Sequence, residues 1–176
     1  MTWHIIVRVG VLDDYTPDLG AAPRLVTAFQ NPTAPSHVHS DVFEKLRSQL
    51  GVEPSDVVAD LLHFAMAVYS ADLRVNRIHS ADRWTREFVL HLPVVDTSRW
   101  SVNLPTLIRM LQFLTGDRWE VRLRERAAPP RAPTQSQLVS VQSVCLFSGG
   151  LDSLVGAIDL LATGQTVCLV GHHGAG

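Results

Sequence analysis

Two short, almost fully apolar runs near the end of the chain, SVCLF (143–147) and TVCLVG (166–171), flank a helical stretch, LVGAIDLLAT, that Gly164 stops. Strands that carry apolar residues on both faces belong in a parallel sheet covered on both sides. Two such strands joined through a helix form a right-handed crossover unit. This β-loop-α-β pattern dictates an α/β fold for residues 143–176.

The loop between the first strand and the helix reads SGGLDS, Ser148 to Ser153. It occupies the carboxyl end of a strand, where open α/β sheets bind ligands. Two adjacent glycines let backbone amides approach an anion closely. The free N–H groups of a helix's first turn, aided by the helix dipole, favour a phosphate at the same place. The hydroxyls of Ser148 and Ser153 can donate to phosphate oxygens. Asp152 suits a magnesium ion bridging phosphates, or a cap that shapes the loop. No lysine follows the glycines, so this is not the Walker phosphate loop, and the glycine spacing is not that of the dinucleotide fingerprint.

Strand, SGGLDS and helix together resemble the SGGxDS signature of the PP-loop ATP pyrophosphatases. The stretch from Val144 to Gly176 is similar to the QueC group, the 7-cyano-7-deazaguanine synthases. With DLLHFAMAVYSADLRVNR, DRWTREFVLHLPV, FLTGDRW and LVGHHGAG, residues 55–176 resemble most closely the QatC-type proteins of anti-phage defence loci, which carry an extra N-terminal domain. The resemblance implies an adenine nucleotide alpha hydrolase-like domain using ATP and Mg2+. It further implies AMP- and pyrophosphate-forming activation of a 7-deazaguanine-type carboxylate, and a protein partner from a defence operon. It places ATP against Phe147, Ser148, Gly149, Gly150, Leu151, Asp152, Ser153 and His172. It gives catalytic roles to Asp152 and Ser153 and a metal role to Asp152. QueC enzymes also hold zinc through four cysteines. This chain has only Cys145 and Cys168 and ends at Gly176, so zinc requires cysteines from a further C-terminal part, and the chain reads as truncated.

Upstream, WHIIVRV (3–9) reads as a strand and the Pro-rich stretch after it as a loop. Ser40 caps a helix over 41–50 that Gly51 ends, and Pro54 and Ser55 precede a longer helix with one wide apolar face. REFVLHLPVV reads as a strand, LPTLIRMLQFLTGD as a helix with Pro105 near its start, and RWEVRLRER as a strand turning Arg118, Glu120, Arg122 and Arg124 to water. These pieces predict a small α+β domain over 1–125, a Pro/Ala-rich linker over 126–142, and the start of the PP-loop domain over 143–176.

The remaining features limit the alternatives. A net charge of −2 gives no pull toward nucleic acid, and no apolar run is long enough for a membrane span. The N-terminus lacks the features of a signal peptide, and both cysteines read as reduced, buried packing residues, which together predict a cytoplasmic protein. His37 and His39 read as exposed loop histidines. Asp72, Arg74, Arg77, Asp82, Arg83 and Arg86 read as a salt-bridged cluster, with a partner or carboxylate contact as the alternative. Trp84, Trp100 and Trp119 read as core or rim anchors. Two other functions remain open: another PP-loop amidating or thiolating enzyme, and a catalytically inactive binding module acting through the N-terminal domain.

Overall fold

The computed structural model describes residues 1–129 and 141–171. The Pro/Ala-rich segment expected as a linker lies largely outside the described residues. The N-terminal region carries β1 (Thr2–Val9), β2 (Arg24–Phe29), α1 (Val42–Leu50), α2 (Asp56–Arg74), a 3-10 turn (Arg77–His79), β3 (Glu87–Val94), α3 (Thr97–Thr115) and β4 (Arg118–Glu125). All four strands are parallel, in the order β2-β1-β3-β4, with Ile5 opposite Leu25 and Leu90, and Leu90 opposite Val121. The domain is therefore α/β, and the expected α+β class is corrected. The reason is topological: helices bridge the strands from β2 onward, and each crossover returns the chain in the same direction.

β2 was not expected from the sequence, where it lies inside the Pro-rich stretch. It pairs with β1 along its whole length, from His4–Arg24 to Val9–Phe29. The connection between β1 and β2 is an irregular strap over residues 10–23 rather than a helix. α1 starts at Val42, one residue later than expected, although the Ser40 hydroxyl does accept from the Val42 N–H at 3.4 Å. α3 begins seven residues before the expected stretch, because the Asp96 carboxylate accepts from the Arg99 N–H at 2.9 Å and caps it. Pro105 therefore sits inside the helix, which forgoes one backbone bond there.

One face of the sheet packs against α2 and α3. Ile5, Val7, Phe88, Leu90, Leu92, Val94, Trp119 and Val121 meet Phe64, Ala67, Ala71, Trp100 and Leu111 in a single buried cluster. Phe88 and Trp119 rings lie 4.4 Å apart, centroid to centroid. Trp100 and Trp119 are core anchors as expected, but Trp84 is 68% exposed and is corrected to a surface residue. The Arg77 guanidinium lies over its ring.

The other face carries His4, Ile6, Arg8, His91 and Arg124 and is partly roofed by the strap. Arg8 donates to the Tyr15 carbonyl at 3.0 Å, and Arg124 donates to the Val7 carbonyl at 2.8 Å and pairs with Asp13. Arg124 is thus half-buried rather than turned to water, while Arg118, Glu120 and Arg122 are exposed as the alternation predicts.

The cluster between α2 and β3 is structural. Arg86, 3% exposed, pairs with Asp72 at 2.5 Å and with the buried Asp117 at 2.6 Å, and Arg77 reaches Asp117 at 2.8 Å. Arg74, Asp82 and Arg83 stay exposed at its edge. Asp82 accepts from the backbone N–H groups of Trp84 and Thr85, and those bonds hold its carboxyl down at about 2.

The second unit contains β5 (Ser143–Leu146), α4 (Leu151–Ala162) and β6 (Val167–Val170). β5 and β6 are parallel, with Cys145 opposite Leu169. The β-loop-α-β reading is borne out at this level. Its apolar side chains are not enclosed: Leu146 is 77% exposed, and Val144, Ile158, Leu161 and Leu169 are exposed as well. Cys145 and Cys168 are free thiols, half-buried rather than buried, because among the described residues β5 and β6 form a two-stranded sheet that leaves them partly uncovered.

Removing one partner from a buried ion pair leaves an uncompensated charge and costs about 3–5 kcal/mol. Asp117→Ala is therefore expected to lower the unfolding free energy by that amount in urea titration. Arg118→Ala, which breaks the exposed pair with Glu87, should change it by less than about 0.5 kcal/mol.

Two histidines link stability to pH. Burial, assisted by the charge of Arg126, pushes His63 from 6.5 down to about 4. Burial, then the positive charges of His4 and Arg122, pushes His91 from 6.5 down to about 4. A lowered histidine favours the neutral form in the fold, so its stabilisation is complete above 6.5 and is lost as pH falls toward 4. Unfolding free energy measured across that window should fall steadily with acid, and His63→Phe should flatten the slope.

Candidate functional site

The SGGLDS segment leaves the carboxyl end of β5 and enters the N-terminus of α4, between two parallel strands. Its shape follows from local bonds. Gly149 has φ +82°, a left-handed conformation that a side chain disfavours. Gly150 is the N-cap residue in extended conformation, and no side chain caps the helix. The first-turn amides of α4 therefore keep no side-chain partner at the cap. The Ser148 hydroxyl accepts from the Gly150 N–H at 3.4 Å, the Ser153 hydroxyl donates to the Gly150 carbonyl at 2.8 Å, and the two hydroxyls lie 3.3 Å apart.

The loop thus folds around Ser148 and Ser153. Ser148, Gly149, Gly150, Leu151 and Asp152 are exposed, and Phe147 and Ser153 are half-buried. Phe147 is tied to the neighbouring strand by its N–H, which donates to the Val170 carbonyl at 2.7 Å. Gly171 lies close by: a β-carbon there would come within 3.2 Å of the Phe147 carbonyl oxygen. Phe147, the residue before the loop, is therefore held against the end of β6.

Ser148, Gly149, Gly150, Asp152 and Ser153 come together in one short turn. His172 lies outside the described residues. Asp152 stands in the first turn of α4. Among the described residues no group of three His, Cys, Asp or Glu side chains could hold a metal ion. Asp152 thus offers a single carboxylate, which fits magnesium's habit of binding one or two carboxylates together with substrate phosphates. Cys145 and Cys168, on adjacent strands, form no zinc site among the described residues. No helix among them is long and apolar enough to cross a membrane.

The sequence reading missed a row of polar side chains on the strap side of the N-terminal sheet. His4 Nδ1 lies 3.0 Å from His91 Nε2, and His91 Nδ1 lies 3.2 Å from the Tyr15 hydroxyl. Burial lowers His4 below its ordinary value, with the charge of Arg122 acting in the same direction. The available signal was His91 inside the apolar run FVLHLPVV: a lone histidine in a buried strand needs partners for both nitrogens.

Comparison with protein-family models, curated proteins and solved structures finds no match to this chain.

Gly149→Ala places a β-carbon on a left-handed residue, at a cost of about 1–2 kcal/mol. Backbone amide exchange of Leu154 and of β5 and β6 should accelerate roughly tenfold. The amides of β1 and β3 should be unchanged.

Proposed function

We propose that the chain supplies the phosphate-binding loop of an ATP-dependent, AMP-forming enzyme that activates a 7-deazaguanine-type carboxylate. The observation that carries the reading is the SGGLDS turn at the carboxyl end of a parallel strand, leading into a helix with no capping side chain. In this reading a carboxylate oxygen of the substrate attacks the α-phosphorus of ATP. The bond from that phosphorus to the bridging oxygen breaks, and pyrophosphate leaves with the electron pair. The amides of the first turn of α4, with the hydroxyls of Ser148 and Ser153, receive the pyrophosphate. Ser153 would act where charge builds on the leaving group, and Asp152 would orient the loop. Magnesium held by Asp152 and the phosphates would neutralise that charge. Phe147 and Leu151 flank the turn, and the Phe147 N–H ties its start to the end of β6.

The likeness of the sequence to QueC and QatC-type proteins extends the proposal to a cytoplasmic setting in anti-phage defence, with a deazapurine substrate and a protein partner from the same operon. An amidating or thiolating PP-loop enzyme would share the adenylation step and differ in the nucleophile that follows.

The test uses the protein as its native cell produces it, supplied with ATP, Mg2+ and 7-carboxy-7-deazaguanine. Pyrophosphate release dependent on the carboxylate is expected. Ser148→Ala and Asp152→Ala should each reduce it at least tenfold, the scale of losing one electrostatic stabiliser. Pyrophosphate release with another acceptor would reassign the substrate. A biological effect that survives both substitutions would favour a binding module acting through the N-terminal domain.

A further inference from the structure

The outer sides of α2 and α3, away from the sheet, leave a groove of about 150 Å3 between them. Val57 and Leu61 of α2 line it with Arg99, Trp100, Asn103 and Leu107 of α3. Helical spacing carries the α3 wall on to Met110 and Leu114, both exposed. An apolar groove between two helices suits an amphipathic helix laid along it.

The chain contains a helix with an uncovered apolar face. In α4, Ser153, Gly156, Ala157 and Leu160 turn toward β5 and β6 and are buried or half-buried. Leu151, Leu154, Val155, Ile158 and Leu161 form a stripe on the opposite side, and all five are exposed. The larger side chains thus lie on the outer face. A helix apolar on both sides is one that packs on both sides. We propose that the outer face of α4 docks in the α2–α3 groove of the same chain.

Length, charge and tether carry the proposal. α4 has 12 residues and is about 18 Å long, and the α3 wall from Arg99 to Leu114 runs about 22 Å. α3 contains Arg99 and Arg109 and no acidic residue, and no Asp or Glu lines the groove. α4 contains Asp152 and Asp159 and no basic residue. Seven residues apart, these two carboxylates fall on one flank of the apolar stripe. Groove against groove would set arginine against arginine, and α4 against α4 would set aspartate against aspartate. α4 against the groove pairs opposite charges, which fixes the choice of partner.

The tether selects the same chain over a second copy. The Arg126 N–H, just after β4, donates to the Val94 carbonyl at 2.9 Å. Its guanidinium donates to Asp60 at 2.6 Å and 3.0 Å. Asp60 stands on α2 between Val57 and Leu61, two residues of the groove wall. The chain therefore leaves the N-terminal domain beside the groove. Residues 127–142 extend at most about 3.3–3.6 Å each, on the order of 50 Å in all, which reaches it with ease. A partner tethered within reach acts at an effective concentration of about millimolar. The inference goes beyond the adenylation reading and does not depend on it.

The test follows methyl groups of the full chain by NMR. With Ile, Leu, Val and Met methyls labelled, cross-relaxation is expected between Ile158 and both Leu61 and Met110. In a mixture of two differently labelled samples, filtered for contacts between chains, these peaks should be absent. Leu61 is half exposed, so Leu61→Glu is tolerated by the fold; it places an acid in the groove and should abolish the Ile158–Met110 contact. Gln112→Glu, an exposed position on the opposite side of α3, should leave that contact intact. Absence of any contact between α4 and the groove in the unaltered chain would overturn the proposal without a variant. Contacts confined to the mixed sample would overturn it in favour of a second copy. An Ile158–Met110 contact that survives Leu61→Glu would overturn it as well.

Discussion

The N-terminal domain depends on the guanidinium of Arg86 and the carboxylate of Asp117. Arg86 stands just before β3 and donates to the carbonyls of Asp72 and Val75, where α2 ends, as well as to Asp72 and Asp117. Asp117 stands between α3 and β4 and also accepts from the Arg86 N–H and from Arg77. Arg77 in turn donates to the Thr115 carbonyl at the end of α3. One buried pair therefore gathers the ends of two helices and the starts of two strands. In low dielectric such a pair must be fully hydrogen-bonded to be tolerated, and here both members are. It fixes the amino edge of the sheet and leaves the carboxyl edge to the loops.

Much of this was legible in the sequence. The alternation of RWEVRLRER placed Trp119, Val121 and Leu123 toward the core because a strand has a strict period of two. Ser55 and Gly51 marked helix ends through capping chemistry that acts locally. The SGGLDS turn was legible for the same reason: glycine conformations and helix entry are decided within a few residues. β3 is buried on both faces, with Val89 4% and His91 2% exposed, and Tyr15 of the strap reaches His91.

What the sequence concealed is long-range. β2 exists because β1 and the 36–38 segment offer it partners on both edges, and nothing within RLVTAF announces that. The parallel direction of the sheet is a property of the crossovers, not of any strand. Asp117 closes the helical stretch LPTLIRMLQFLTGD in the sequence, and its buried role arises only when α2, α3, β3 and β4 converge. His37 was expected in an exposed loop. Backbone bonds between Ala28 and its neighbours Ser36 and Val38 draw it inward, and it is half-buried.

The row formed by His4, His91 and Tyr15 has a further consequence. The central ring is neutral, so it carries one proton, on one nitrogen or the other. If the Tyr15 hydroxyl donates to His91 Nδ1, then His91 Nε2 must donate to His4 Nδ1. If His4 donates instead, His91 must donate to Tyr15. No mixed arrangement satisfies both contacts. The row thus has two opposite polarities and reverses only in concert, so an acceptor that takes the Tyr15 hydroxyl proton places a proton on His4 Nδ1 without displacing a heavy atom.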